Sequence, residues 1–223
     1  MMSKVLVVAP HPDDETLGVG GTIFRHKAEG DAVHWLIVSA ARQHDGFSPE
    51  AVESEAQEIA AAASRYRFDG IHRLGLPTAR LETLAVADVV SKIGEAFAYV
   101  QPDIVYLPYA GDIHTDHAVV FAAASSCTKW FRSRSVKRVL VYETPSETEA
   151  GLDPDANGFR PNVFVDISRF VDQKIETMSG YKTQYGVFPF PRSEQALRSL
   201  AAVRGAAAGF EAAEAFMLLR ECV

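Results

Sequence analysis

The stretch Lys4-Val5-Leu6-Val7-Val8-Ala9-Pro10-His11-Pro12-Asp13-Asp14-Glu15 constrains this chain more than any other. Val5 to Ala9 is a continuous apolar run rich in β-branched residues, the pattern of a strand covered on both faces in a parallel sheet. Pro10 and Pro12 have no N–H to offer a neighbouring strand, so pairing is expected to stop near Ala9. Open α/β sheets bind their ligands beyond the carboxyl ends of the strands. One histidine and three carboxylates, His11, Asp13, Asp14 and Glu15, are therefore delivered to the edge where such sheets do chemistry.

Two accounts of the acidic run are open at this point. The carboxylates would complement the N-terminus of a helix starting near Thr16. They would also repel one another, and a cation relieves that repulsion, with histidine as a ready companion ligand. One His and two Asp make only part of a metal site. A second part follows much later, where Asp103 to Leu107 forms another short apolar strand closed by Pro108. Gly111-Asp112-Ile113-His114-Thr115-Asp116-His117 comes next. His114 and His117 share a face if a helix begins there. Two strand ends that each bring His and Asp to one sheet edge predict a metal site.

The rest of the chain alternates in the same way. Strands are expected at Val33–Val38, Gly70–Leu74, Arg138–Tyr142 and Val163–Ile167. Helices are expected at Thr16–Gly30, Pro49–Tyr66, up to about Tyr99, at Thr115–Phe131, and at Ser168–Gln184 with Ser168 as N-cap. An Ala-rich helical region follows from about Ser193. This alternation predicts an α/β fold: a single three-layer, Rossmann-like domain over residues 1–223, with a mostly parallel sheet and helices on both faces. Gly18, Gly20 and Gly21 invite a dinucleotide-binding reading, but Ile23 stands where the third glycine belongs. The acidic turn before them would repel a pyrophosphate, so they are read as close helix–sheet packing. Glu143 to Pro161 is the longest irregular stretch, either a lid over the site or a surface excursion.

Composition narrows the function classes. The chain has 223 residues, 48% hydrophobic and 23% charged, with a net charge of -7. That balance argues against a nucleic-acid partner and leaves a small-molecule substrate, with a homo-oligomer left open. The few apolar residues before His11 are too short a run for a signal peptide or a membrane span. Cys127 and Cys222 form no CxxC motif and no disulfide framework, which points to a reducing cytoplasm.

His11-Pro12-Asp13-Asp14-Glu15 together with His114-Thr115-Asp116-His117 resembles the paired signature of the PIG-L/LmbE family of zinc-dependent N-acetylglucosaminyl deacetylases. Leu74-Gly75-Leu76-Pro77 and Asn162 to Ser168 resemble further family segments. So do Lys174, Tyr181-Lys182-Thr183-Gln184, Arg204-Gly205 and Ala213-Glu214-Ala215-Phe216, all in the right order. The resemblance implies a hydrolase that removes an N-acetyl group from an amino sugar or its small-molecule conjugate. It implies Zn2+ held by His11, Asp14 and His117, a donor set that Fe2+ also suits. Asp13 is implied as general base and His114 as stabiliser of the charged acyl oxygen. Asp116 would orient one of the histidines, and Glu15 would be a helix-start acid or a hydrogen-bond partner. Asp112 lies inside the motif without a derivable role. Arg42 and Arg80 are candidates for substrate contacts, although Ser39 to Gly46 lacks the Gly-Glu pair that many relatives carry there. Two rival readings are an amide hydrolase for thiol conjugates or antibiotic-like compounds, and a non-catalytic nucleotide-binding module.

Overall fold

The computed structural model describes residues 2–152 and 158–223. β1 (Lys4–Ala9), β2 (Ala32–Ala40), β3 (Gly70–Pro77), β4 (Ile104–Pro108), β5 (Arg138–Tyr142), β6 (Val163–Asp166) and β7 (Ala213–Glu221) form one sheet. Its strand order is β3-β2-β1-β4-β5-β7-β6. The first five strands are mutually parallel, and β7 runs antiparallel between β5 and β6. Helices α1 (Asp14–Glu29), α2 (Pro49–Tyr66), α3 (Val86–Val100), α4 (Thr115–Cys127), α5 (Val171–Met178) and α6 (Glu194–Ala206) cover both faces. This is the α/β, Rossmann-like architecture that the alternation predicts. No helix among the described residues is long and apolar enough to cross a membrane.

β1 shows why two layers of helix are needed. Val5, Val7 and Ala9 enter one core with Leu17 and Ile23 of α1, Tyr66 of α2 and Met178 of α5. Leu6 and Val8 enter the other with Ile93 and Phe97 of α3 and Val120 of α4. Every one of these strand residues is fully buried. Burying one Val or Leu side chain contributes about 1.5–3 kcal/mol, so a strand sandwiched this way has no place for a polar residue.

The same two cores position the site. α1 leaves the end of β1 toward the first core, and α4 leaves the end of the adjacent β4 toward the second. Val5 pairs with Ile104 and Val7 with Tyr106, so the two strand ends lie side by side. Chains that depart from neighbouring strands to opposite faces leave a crevice between them, and ligands bind there.

α1 lies unusually close to its neighbours. A Cβ on Gly18 would collide with the Tyr142 ring, and one on Gly21 would stand 2.7 Å from Ile167 Cβ. The glycines are thus packing residues, in agreement with the sequence reading.

Some boundaries differ from expectation. Ala213–Glu221 is a strand, not helix, although Ala, Glu and Leu favour helix. Pairing on both sides with β5 and β6 overrides that propensity. Ser168 does not cap a helix: its N–H and hydroxyl both donate to Asp166 Oδ1, closing a turn after β6, and α5 begins only at Val171. α4 ends at Cys127, leaving Trp130 and Phe131 exposed. Of the irregular stretch Glu143 to Pro161, residues 153–157 lie outside the described residues, so the lid reading falls partly beyond them.

Candidate metal centre

The turn after β1 is built around Asp13. Its φ of 120° is a conformation that strains a residue bearing a Cβ. Its N–H donates to Glu15 Oε2 at 3.0 Å, and its carbonyl accepts from the N–H groups of Thr16 and Leu17. Its side chain makes no capping bond, so helix capping does not explain this carboxylate. Glu15 is the hydrogen-bond partner rather than a ligand. It is fully buried and also accepts from Tyr181 Oη at 2.7 Å and from Thr16 Oγ1.

Asp14 sits where the two strand ends meet. Its Oδ2 accepts the His11 N–H at 2.8 Å and lies 3.3 Å from His11 Nδ1 and 3.4 Å from His117 Nε2. Each imidazole is held from behind by a second carboxylate. Asp116 Oδ2 is 3.0 Å from His11 Nε2, and Asp112 Oδ2 is 2.7 Å from His117 Nδ1. Asp116 is fixed in turn by the N–H groups of Ala79 and Leu81, and Asp112 by Thr148 Oγ1. His114 is the N-cap of α4, its Nδ1 accepting the Asp116 N–H at 3.2 Å, and its ring centroid lies 4.4 Å from that of His11.

Burial works against charge on His11. The hydrogen bonds to Asp116 and Asp14 outweigh it and push the imidazole up to about 9. His117 is likewise opposed by burial, yet the Asp14 and Asp112 carboxylates push it up to about 10. Asp14 is opposed by burial too, but His117 and His11 hold it well below the ordinary carboxylate range. Asp13 goes the other way: burial and then the neighbouring Asp14 charge raise it well above that range. Burial pushes Glu15 up to about 7. His114 is lowered by burial and by the charge on His11, which favours its neutral form.

This donor set fits a divalent metal ion. One ligand atom each from His11, Asp14 and His117 lies within 4.8 Å of the others, and a His11–His114–Asp116 grouping meets the same test. The first set faces inward with its outward nitrogens already clamped by carboxylates, the arrangement that orients histidine ligands in metal sites. Without an ion, the surrounding carboxylates favour the protonated form of both imidazoles.

The model of the PIG-L family, described as GlcNAc-PI de-N-acetylase, matches residues 6–128, more than half of the chain. The chain belongs to the PIG-L family. It is 29% identical to a diacetylchitobiose deacetylase of Thermococcus kodakarensis over 96% of this chain and 82% of that one. It is 28% identical to a 1D-myo-inositol 2-acetamido-2-deoxy-alpha-D-glucopyranoside deacetylase of Rhodococcus erythropolis over 83% of this chain and 82% of that one. A conserved protein of Thermus thermophilus superposes with a TM-score of 0.78 at 29% identity, covering 100% of this chain and 97% of that one.

Within this PIG-L fold, the crevice gathers His11, Asp13, Asp14, His114, Asp116 and His117. Arg42 is placed differently. Its guanidinium is engaged by Asp45 and, at 3.2 Å, by the Gly75 carbonyl. Arg80 is exposed, flanked by the two residues whose N–H groups hold Asp116. Sequence reasoning left Asp112 without a role and missed Arg192 altogether. The Asp112 position five residues before His117 was a usable signal. Arg192 lies in a loop with none. A cavity of about 530 Å³ is lined by Pro145, Thr148, Phe159, Pro191, Leu200 and Arg204 and by none of the candidate ligands.

Proposed function

We propose that this PIG-L chain hydrolyses the N-acetyl amide of a small amino sugar or its conjugate, with Zn2+ as the metal and Fe2+ as an alternative for the same ligands. The observation that carries this reading is one crevice holding the His11–Asp14–His117 donor set beside the buried carboxylate of Asp13. The family match and the deacetylase names of both relatives support it. Residues 1–223 are read as one catalytic domain, since the first and last strands share a sheet.

His11, Asp14 and His117 would hold a divalent ion, whose Lewis acidity would polarise the amide and lower the pKa of water to about 7. Asp13 takes a proton from the attacking water as the water oxygen bonds to the acyl carbon. Burial and the adjacent Asp14 charge favour the protonated form of Asp13, the form in which it carries that proton to the nitrogen. His114 uses its Nδ1 to accept the Asp116 N–H, so its own proton is on Nε2. Nε2–H donates to the acyl oxygen as negative charge develops there. Asp13 then returns the proton to the nitrogen as the C–N bond breaks, and acetate and a free amine leave. Arg42 and Arg80 are retained as rim residues for polar or anionic groups of the substrate. Free Cys127 and Cys222 suit work in a reducing cytoplasm.

The test is a panel of N-acetylated mono- and disaccharides, inositol conjugates and thiol conjugates, assayed for acetate and amine together. Equimolar release from the sugars, abolished by a chelator and restored by Zn2+ or Fe2+, is the expected result. Metal-replete protein that frees no amine from any amino sugar overturns the reading, and selective turnover of thiol conjugates shifts the substrate class.

A further inference from the structure

Arg192 enters the centre from the loop between α5 and α6. Its guanidinium uses four N–H donors on four groups: Nη1 donates to Asp13 Oδ2 and to Gln184 Oε1, both at 2.7 Å. Nε donates to Ser146 Oγ at 2.8 Å, and Nη2 to Glu147 Oε1 at 3.0 Å. The side chain is 12% exposed and that of Asp13 is 4% exposed. Among the described residues, Arg192 is the one side chain that hydrogen-bonds the Asp13 carboxylate, and it engages Oδ2 alone.

We infer that Arg192 is a positioning residue for the amide hydrolysis: it fixes the Asp13 carboxylate through Oδ2 and leaves Oδ1 to exchange the proton. This rests on the deacetylase reading given above. Asp13 stands beside Asp14 on a strained turn, and the two buried carboxylates repel each other. With Oδ2 pinned, Asp13 cannot rotate away. The pin is rigid because a planar guanidinium held by acceptors from three separate segments has no freedom of its own. A lysine would bring the charge, but a single point donor cannot span Ser146, Glu147 and Asp13 together.

A purely structural role is distinguishable. Ser146 and Glu147 belong to the same turn as Thr148, which supports Asp112 and hence His117. An Arg192 that mattered only to this turn would act through the metal ligands. The experiment compares wild type, Arg192→Gln, Arg192→Lys, Asp13→Asn and the Asp13→Asn/Arg192→Gln double variant for zinc content, kcat and KM. Arg192→Gln is expected to keep its zinc and its KM while kcat falls about a hundredfold, the scale of a small misplacement of a reacting group. In the Asp13→Asn background the same change should cost nothing further, and Arg192→Lys should recover only part of kcat. Zinc loss in step with activity, or an equal loss in both backgrounds, overturns the proposal. If Arg192→Gln fails to fold, Arg192→Lys is put through the same cycle and judged by the same two outcomes. A wild type inactive on every amino sugar refutes the deacetylase reading by itself. The role of Arg192 is then decided by a crystal structure of Arg192→Gln: a displaced Asp13 carboxylate supports it, and an unmoved one overturns it.

Discussion

Asp112 Oδ2 lies 2.7 Å from His117 Nδ1, while Oδ1 accepts from Thr148 Oγ1 at 2.6 Å. The pair fixes the ring of His117 with Nε2 turned toward Asp14. Carboxylates behind histidine ligands typically contribute about tenfold to a hundredfold in metal affinity. Asp112→Asn should therefore weaken Zn2+ binding by about that factor in a chelator competition. Unchanged affinity would show that His117 is oriented by its packing alone.

Metal uptake should depend steeply on pH. The folded-state values of His11 and His117, about 9 and about 10, lie above the ordinary 6.5 of a free histidine. Their protonation thus stabilises the metal-free fold fully below pH 6.5, and that stability is lost as pH rises through 9 and 10. An ion must displace both protons, so apparent affinity should rise by about a hundredfold per pH unit near neutrality and flatten near pH 10. Calorimetry in buffers of different ionisation enthalpy counts the released protons. The melting temperature of metal-free protein should fall between pH 7 and 10 while that of the zinc form holds. Release of no protons at pH 7 would refute the charge state assigned to the two histidines.

Asp13 and Asp14 are neighbours in sequence with opposite electrostatics, and substitutions should separate them. Asp14→Ala removes the oxygen nearest both imidazoles and should leave metal-poor protein. Asp13→Asn preserves size and leaves the donor set intact, yet cannot accept a proton. Loss of a general base costs about a hundredfold to ten-thousandfold in rate. Zinc content, melting temperature and turnover on the same two preparations decide the matter, and near wild-type turnover of Asp13→Asn would falsify its role as base.

The glycines of α1 give a prediction about stability alone. Gly21→Ala places a Cβ 2.7 Å from Ile167 Cβ, where neither partner can step aside without moving backbone. Overpacking of this kind costs about 1–3 kcal/mol, read as a lower midpoint in urea unfolding. Specific nucleotide affinity lost in Gly21→Ala would instead favour the nucleotide-binding rival. Stability unchanged within error would mean that α1 and Ile167 can move apart at no cost.

The chemistry of the centre was legible because it is written locally. An apolar run ended by proline specifies a buried strand and its carboxyl edge, and His11 to Glu15 and Asp112 to His117 follow such runs directly. Their meeting was inferable for the same reason, since parallel strands share one edge. Where local preference and tertiary pairing conflict, local reading failed: Ala213–Glu221 has helical composition but becomes β7 because two strand edges were open on either side of it. Partners joined only by the folded chain were invisible as well. Arg192 reaches Asp13, and Tyr181 reaches Glu15. Asp116 was expected to orient one of the histidines, and the fold selects His11. Residue type and spacing determine which groups stand at a sheet edge. Which carboxylate holds which nitrogen depends on distances of a few tenths of an ångström, and those are set only when helices on both faces have packed.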